Sequence, residues 1–233
     1  TGDSWYQGTA DAIYQNINLI EDGDFDLIAV FGADHIYRMD LQQMIDFHVK
    51  KKADVTVSAI PVPIEDAKSF GVIQVQEKFR IIGFQEKPKR PKPIPGREKE
   101  AFASMGNYLF NKDFLIDILY KDAEDKNSSH DFGKDILPKI FKTSRVYAYD
   151  FRRNRIPGIS KKEIGYWRDV GTIKAFWEAN MDLRSVKPDF NLYNKKWPIR
   201  TASYGTPPAK FVFNEDGRRG QAIDSIIGEG SII

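Results

Sequence analysis

The sequence predicts an α/β protein built on a mostly parallel sheet with inserted antiparallel strands. Three observations carry that expectation. Segments of helical period alternate with β-branched runs, as in sheets whose strands are joined through covering helices. The stretch 71–110 holds three short strand candidates with no helical period between them. At the end of the chain, residues 223–233 place Ile226 and Ile232 six apart, the rhythm of a parallel β-helix.

Taken in order, Gly8 and Thr9 precede Ala10, Ile13, Ile17 and Ile20, an amphipathic helix that the Thr9 hydroxyl should cap, with Asp11 in its first turn. Residues 27–31 are an apolar run read as a buried strand, ended by Gly32 and the acidic Asp34. Asp40 has the place of an N-cap for a helix presenting Leu41, Met44, Ile45 and Val49, and residues 55–60 are a β-branched strand. Strand candidates follow at 71–75, 80–85 and 104–110, with a basic, proline-rich run at 87–99 that reads as a mobile, solvated loop. Helices are expected at 113–120 and 134–141, a strand at 146–151, and a helix from Thr172 with Ile173, Phe176, Trp177 and Met181 facing inward.

The α/β body should therefore span residues 1–184. Residues 185–222 are proline-punctuated and aperiodic, a linker that Trp197, Phe211 and Phe213 should hold against the domain, and 223–233 begin the β-helix.

A chain of 233 residues can bury a sizeable core without staples. Its 35 basic and 33 acidic residues leave a formal charge of +2, so no global field marks a nucleic-acid binder. Cysteine is absent, which excludes disulfides, a thiolate nucleophile and cysteine-ligated zinc, and accords with a reducing cytoplasm. No apolar stretch approaches the roughly 18–20 residues of a transmembrane helix, and no secretory signal pattern stands at Thr1. A soluble, cytoplasmic and trimmed chain is the expectation.

The chemistry is carried by acidic residues and one lysine. Asp34 stands at the carboxyl edge of a strand, where open α/β sheets bind ligands; the plain alternative is a carboxylate satisfied by nearby backbone amides. Asp169 lies three residues before the Thr172 cap, where the positive end of a helix favours it in any case. Together the two suit one Mg²⁺, which takes hard oxygen ligands and keeps room for substrate phosphates. Lys87 follows Glu86 and is fixed by Pro88; an ammonium about 4 Å from a phosphate oxygen gains roughly 4 kcal/mol at an effective dielectric near 20. Asp131 either caps the following helix or receives sugar hydroxyls, and Phe132 either packs or lines a pocket. Ser104 and Gly106 put a hydroxyl and a flexible residue on one strand. His35, His48 and His130 show no ligand spacing, so no zinc site is assigned, and His48 falls on the apolar side of its helix.

Eight segments, read together and in order, resemble the sugar-nucleotidyltransferase family, and within it the bacterial enzymes that join ATP to glucose 1-phosphate. They are Trp5-Tyr6-Gln7-Gly8-Thr9-Ala10-Asp11-Ala12, Gly32-Ala33-Asp34-His35-Ile36-Tyr37, Phe70-Gly71-Val72, Phe84-Gln85-Glu86-Lys87-Pro88, Ser104-Met105-Gly106, His130-Asp131-Phe132-Gly133-Lys134-Asp135, Tyr166-Trp167-Arg168-Asp169-Val170-Gly171-Thr172 and Asn191-Leu192-Tyr193. The resemblance implies a partial, Rossmann-like nucleotidyltransferase domain followed by a left-handed β-helix. It implies the conversion of ATP and α-D-glucose 1-phosphate to ADP-glucose and pyrophosphate in glycogen synthesis, with Mg²⁺ as cofactor, metabolite effectors and a homotetramer.

It also implies roles. Asp34 and Asp169 match a metal-binding pair and, with Lys87, the catalytic set. Lys87 matches the lysine that grips the phosphate of glucose 1-phosphate, and Glu86 its neighbour on the sugar. Tyr6, Gly71, Ser104, Asp131, Phe132 and Trp167 match substrate-binding positions. Members of the family open with a strand and a signature of the type Gly-Gly-x-Gly-Thr-Arg-Leu that wraps the nucleotide; this sequence has none, so the chain alone is expected to make no ADP-glucose. A transferase for another nucleotide and a non-catalytic, sugar-phosphate-binding regulatory subunit are the alternatives, the latter disfavoured by retention of Asp34, Lys87 and Asp169. Neither a nucleic acid nor a membrane is an expected partner.

Overall fold

The β-branched run Val55–Pro63 (β3 in chain order) is buried along most of its length, and the rest of the first compact unit is assembled around it. The computed structural model describes residues 5–233. Two compact units emerge: one holds the residues up to Ala33 together with Met39–Asn154, the other Asp34–Arg38 together with Arg155–Ile233.

In the first unit, β1 (Leu27–Val30), β3, β4 (Gly71–Val75), β5 (Ile81–Glu86), β6 (Glu100–Asn111) and β7 (Val146–Asp150) form one sheet of order β5-β4-β6-β3-β7, with β1 also on β6. Only β3 and β7 run parallel. The pairings β1–β6, β3–β6, β4–β5 and β4–β6 are all antiparallel, so the expected mostly parallel sheet is corrected to a mixed one. The reason is β6. Expected as a short insert, it is a twelve-residue strand that runs against β3 on one side and against β4 and then β1 on the other.

Helices cover this sheet. Two short ones, α1 (Thr9–Tyr14) and α2 (Ile17–Glu21), replace the single helix expected there; between them Asn16 turns its side-chain amide back onto the carbonyl of Ala12 at 2.9 Å. α3 (Leu41–Lys51) is capped as expected by Asp40, which accepts from the amide of Gln42 at 3.0 Å. α4 (Lys112–Glu124) follows β6, and a π-type turn at Phe132–Ile136 leads into α5 (Leu137–Ile140). Val57, Phe102, Phe110, Leu115 and Phe132 are among the residues that fill the core. His48 is buried there, with Nδ1 2.8 Å from Thr56 Oγ1 and Nε2 3.0 Å from Asn111 Oδ1, a packed histidine as its helix position suggested. The 87–99 run is not simply a solvated loop: Ile94 enters the core, and a turn closes from the amide of Arg97 to the carbonyl of Ile94.

The second unit has a two-stranded antiparallel ladder, β2 (His35–Tyr37) with β8 (Trp167–Asp169), and one long helix, α6 (Ile173–Leu183), capped by Thr172. Its interior is unusually polar. Arg38 and Glu163 are an ion pair buried on both sides, Arg38 also donates to the carbonyl of Asn191 at 2.9 Å, and its guanidinium lies 4.8 Å from the centre of the Phe190 ring.

Three expectations are corrected in this unit. On α6, Ile173, Phe176 and Trp177 are exposed rather than inward, and the buried residue is Ala179. In the 185–222 segment Phe190 and Asn194 are buried, whereas Phe211 and Phe213 are exposed. At the chain's end no β-helix coil is seen among the described residues. What is present is one parallel bridge, Lys210 with Ile232, bonded from Lys210 N to Ser231 O and from Val212 N to Ile233 O, each at 2.8 Å. A coil of that kind is stabilised by the coils stacked on it, and a single rung has no such support. No described helix is long and apolar enough to cross a membrane.

Candidate active site

The candidate residues gather into two groups, one in each unit. In the second unit the β2–β8 ladder sets His35 opposite Asp169, and the amide of Val170 donates to the carbonyl of Asp34 at 2.9 Å, closing the ladder's end. Two carboxylates far apart in sequence thereby meet: ligand atoms of Asp34, His35 and Asp169 all lie within 4.8 Å of one another. Gly171 is the reason they can. A β-carbon there would stand 3.0 Å from Asp34 Oδ2 and 3.1 Å from Asp169 Oδ1, tighter than ordinary contact. Its amide also donates to Asp169 Oδ1 at 2.7 Å.

This donor set fits a small divalent cation. Two exposed carboxylates supply hard oxygen atoms, and the bare glycine leaves space beside them. His35 adds a borderline nitrogen: its Nε2 is 3.4 Å from Asp34 Oδ1, and its ring meets that of Trp167 edge-on at 5.1 Å. His35, His48 and His130 show no ligand spacing in the sequence, and the ladder register that brings His35 to Asp169 has no local signature.

In the first unit the β4–β5 hairpin pairs Gly71 with Glu86. Lys87, the next residue, donates its amide to the carbonyl of Phe70 at 3.1 Å and takes a left-handed conformation with φ of 43°. That conformation turns the chain out of the strand at the lysine, and Pro88 stiffens the exit. Gly71 again makes room, since a β-carbon would come 2.6 Å from the Phe84 ring and 3.0 Å from Glu86 Oε2. Burial raises the pKa of the Glu86 carboxyl, with Lys87 opposing and Asp131 adding to the shift.

Asp131 is the other acidic wall of this group. Its Oδ1 accepts the amides of Gly133 at 2.8 Å and Lys134 at 2.9 Å, and its Oδ2 accepts the Thr9 hydroxyl at 3.0 Å. The cap reading is thus realised, with one lone-pair direction left for a further donor. Thr9, expected to cap its own helix, instead serves Asp131 and accepts the amide of Phe132 at 3.1 Å; Gly8 is the N-cap. The Phe132 ring is buried between Tyr108 and Phe110, with centroids 5.5 Å from each, so it backs the group from the core.

Ser104 sits where the β3–β6 register slips: Val57 faces Tyr108 but Ala59 already faces Ser104. Gly106, with φ of 69°, absorbs the bulge. Tyr108 was not singled out from sequence, yet burial pushes its phenol well above its ordinary value, with the Ser104 hydrogen bond opposing and the Asp131 and Glu86 carboxylates adding. Tyr6 is 44 % exposed, with its ring 5.6 Å from that of Trp5. Trp167 stands in β8 with the acidic pair.

One group thus offers hard oxygen donors opened by a glycine, and the other a lysine leaving a hairpin beside two carboxyls. The chain belongs to the nucleotidyl transferase family, whose pattern matches residues 2–186. Residues 207–233 match a second pattern, the GlmU-like C-terminal hexapeptide. Along its whole length the chain is 53% identical to the glucose-1-phosphate adenylyltransferase of Anaeromyxobacter dehalogenans, 51% to that of Thermus thermophilus and 54% to that of Aliivibrio fischeri. It spans 56–57% of the length of these curated relatives.

Proposed function

We propose that this chain carries the sugar-phosphate side of a glucose-1-phosphate adenylyltransferase, which converts ATP and α-D-glucose 1-phosphate to ADP-glucose and pyrophosphate. The observation that carries the reading is identity above one half, over all 233 residues, to enzymes of that name from several bacteria. The geometry agrees with it. Lys87 supplies a cation for the sugar phosphate, and Glu86 and Asp131 supply acceptors for sugar hydroxyls. Ser104 and Tyr108 form a hydroxyl pair on β6, while Gly71 keeps the floor low. Tyr6, Phe132 and Trp167 complete the proposed substrate-binding set.

In the reaction a phosphate oxygen of glucose 1-phosphate attacks the α-phosphorus of ATP; the new oxygen–phosphorus bond forms as the bond to pyrophosphate breaks. Asp34 and Asp169 would hold Mg²⁺, which when bound neutralises charge on the reacting phosphates. Lys87 orients the attacking phosphate, and the acidic walls fix the sugar, so that the chain's own contribution is position and charge rather than a covalent intermediate. We carry the same reading to the whole: residues 1–184 a partial catalytic domain, 185–222 a linker, and 223–233 part of the hexapeptide-pattern segment, whose coil this structure does not form, in a cytoplasmic homotetramer that answers to metabolite effectors.

Titration of this chain with glucose 1-phosphate tests the reading. Saturable binding is expected, weakened at least about tenfold in Lys87→Ala by loss of a charged hydrogen bond. No binding, or equal binding of free glucose, overturns it. In a chain of the relatives' full length, Asp34→Asn should lower turnover by orders of magnitude while glucose 1-phosphate still binds, and Lys87→Ala should chiefly raise KM.

A further inference from the structure

Beside Asp131 in sequence lies a part-buried network, centred on a buried carboxylate, that the proposed chemistry does not use. Asp122, on α4, has a side chain only 5 % exposed. Its Oδ2 accepts from His130 Nδ1 at 2.8 Å and its Oδ1 from the Ser128 hydroxyl at 2.7 Å, with the Lys139 ammonium 3.6 Å away. The loop these bonds hold ends at Asp131 and Phe132. His130 is left-handed, with φ of 54°, and its carbonyl accepts the amide of Ala10 at 2.8 Å. A β-carbon at Gly8 would collide with the carbonyl oxygens of Ser129 and His130, so the start of α1 is pressed directly on this loop. Thr9 then closes the circuit through its bond to Asp131.

We propose that Asp122 and His130 are positioning residues for the sugar-phosphate site: their part-buried hydrogen-bond brace holds the His130 backbone in its left-handed turn and so sets Asp131 against Thr9 and Gly133. The inference rests on the proposed function for its consequence, but its geometry stands without it. A left-handed backbone at a residue with a β-carbon persists only where the surroundings hold it there. Here the hold is visible: a buried carboxylate pulls the imidazole from one side while α1 takes the carbonyl from the other.

Substitution at His130 separates backbone from side chain. In His130→Asn the amide nitrogen takes the place of Nδ1 and asparagine accepts the left-handed turn, so both parts survive. In His130→Gly the turn is free but the bond to Asp122 is gone. Two readouts apply to each: amide exchange at Ala10, Phe132, Gly133 and Lys134, with Val57 and Ala59 of β3 as a folding control, and affinity for glucose 1-phosphate. Expected for His130→Asn is exchange and affinity within about threefold of the parent. Expected for His130→Gly is at least about tenfold faster exchange at those four amides and at least about tenfold weaker binding, with β3 unchanged.

Asp122→Asn, which keeps an acceptor but loses the charge, should fall between. A glycine variant indistinguishable from the parent in exchange overturns the brace. Slow exchange lost without any change in affinity overturns its role in the site. If the parent binds no glucose 1-phosphate, the proposed function fails while the exchange pattern still decides the brace.

Discussion

The two units are held together by opposite means. The first buries hydrocarbon: β3 is enclosed, and Val57, Phe102, Phe110 and Leu115 are at most 1 % exposed. The second has few buried apolar side chains among its described residues, Ile156, Ala179 and Phe190, and gives its interior to the Arg38–Glu163 pair. Their candidate groups differ in the same sense. Asp131 is engaged by three donors and backed by aromatic rings, whereas Asp34 and Asp169 are exposed and owe their meeting to a three-residue ladder and a glycine. Binding of a neutral sugar calls for fixed, directional partners; binding of a dication tolerates exposure, because charge and hydration do most of the selection.

The largest effects should come from attacking each interior on its own terms. Phe110→Ala should cost the first unit about 3–5 kcal/mol, from lost transfer energy and the cavity left against Phe132 and Tyr108. Glu163→Gln should cost the second about 3–5 kcal/mol, because Arg38 stays buried without its counter-charge. Hydrogen exchange of amides in each unit reads the two separately. Equal loss in both units from either change would show a single cooperative body and end the comparison.

Next come pH responses of the first unit, limited to about 1.4 kcal/mol per pH unit for one proton. Burial holds His48 below its ordinary 6.5, with the Asn111 hydrogen bond opposing. The folded state therefore binds fewer protons there than the unfolded chain, and stability present above 6.5 should be lost as pH falls through the folded value. Glu86 has the opposite sign. Raised above 4.5, it stabilises at low pH and gives that up as pH rises from 4.5 through its folded value. Urea midpoints followed against pH should lose the first slope in His48→Gln and the second in Glu86→Gln; unchanged slopes would remove these groups as the cause.

A smaller effect is expected at the carboxylate pair. Gly171→Ala forces a methyl between Asp34 and Asp169, and should weaken Mn²⁺ binding by roughly five- to tenfold, about 1–1.4 kcal/mol. Stability should change little at so open a position. Undiminished Mn²⁺ affinity by calorimetry would mean that the two carboxylates bind independently of each other.

Much of this arrangement was legible because local chemistry and tertiary structure agreed. Asp40 and Thr172 cap the helices they were expected to cap, and the periodic faces gave α3 and α4. Asp34, Lys87 and Asp169 were reached as charge beside strand ends and fixed corners. Pairing direction was not legible, since Glu100–Asn111 reads the same whether its neighbours run with it or against it. Thr9 shows the other limit. Its hydroxyl had a local role available, and a partner 122 residues away took it. His35 and Gly171 matter only through that same kind of distance, which no local pattern records.

The smallest effect tests the α6 face. Periodicity alone placed Ile173, Phe176 and Trp177 inward, and the structure leaves Trp177 60 % and Ile173 89 % exposed. A side chain that keeps more than half its surface in water has recovered less than half its burial energy, so Trp177→Ser should change the stability of the second unit by about 0.5–1 kcal/mol at most. Arg168–Asp182, a 2.6 Å pair between half-exposed groups, should contribute no more than that in Arg168→Ala. A loss of several kcal/mol on Trp177→Ser would mean that the aromatic face of α6 is covered in solution. The polar interior of the second unit would then be supplemented by an apolar contact, and the contrast with the first unit would shrink by that amount.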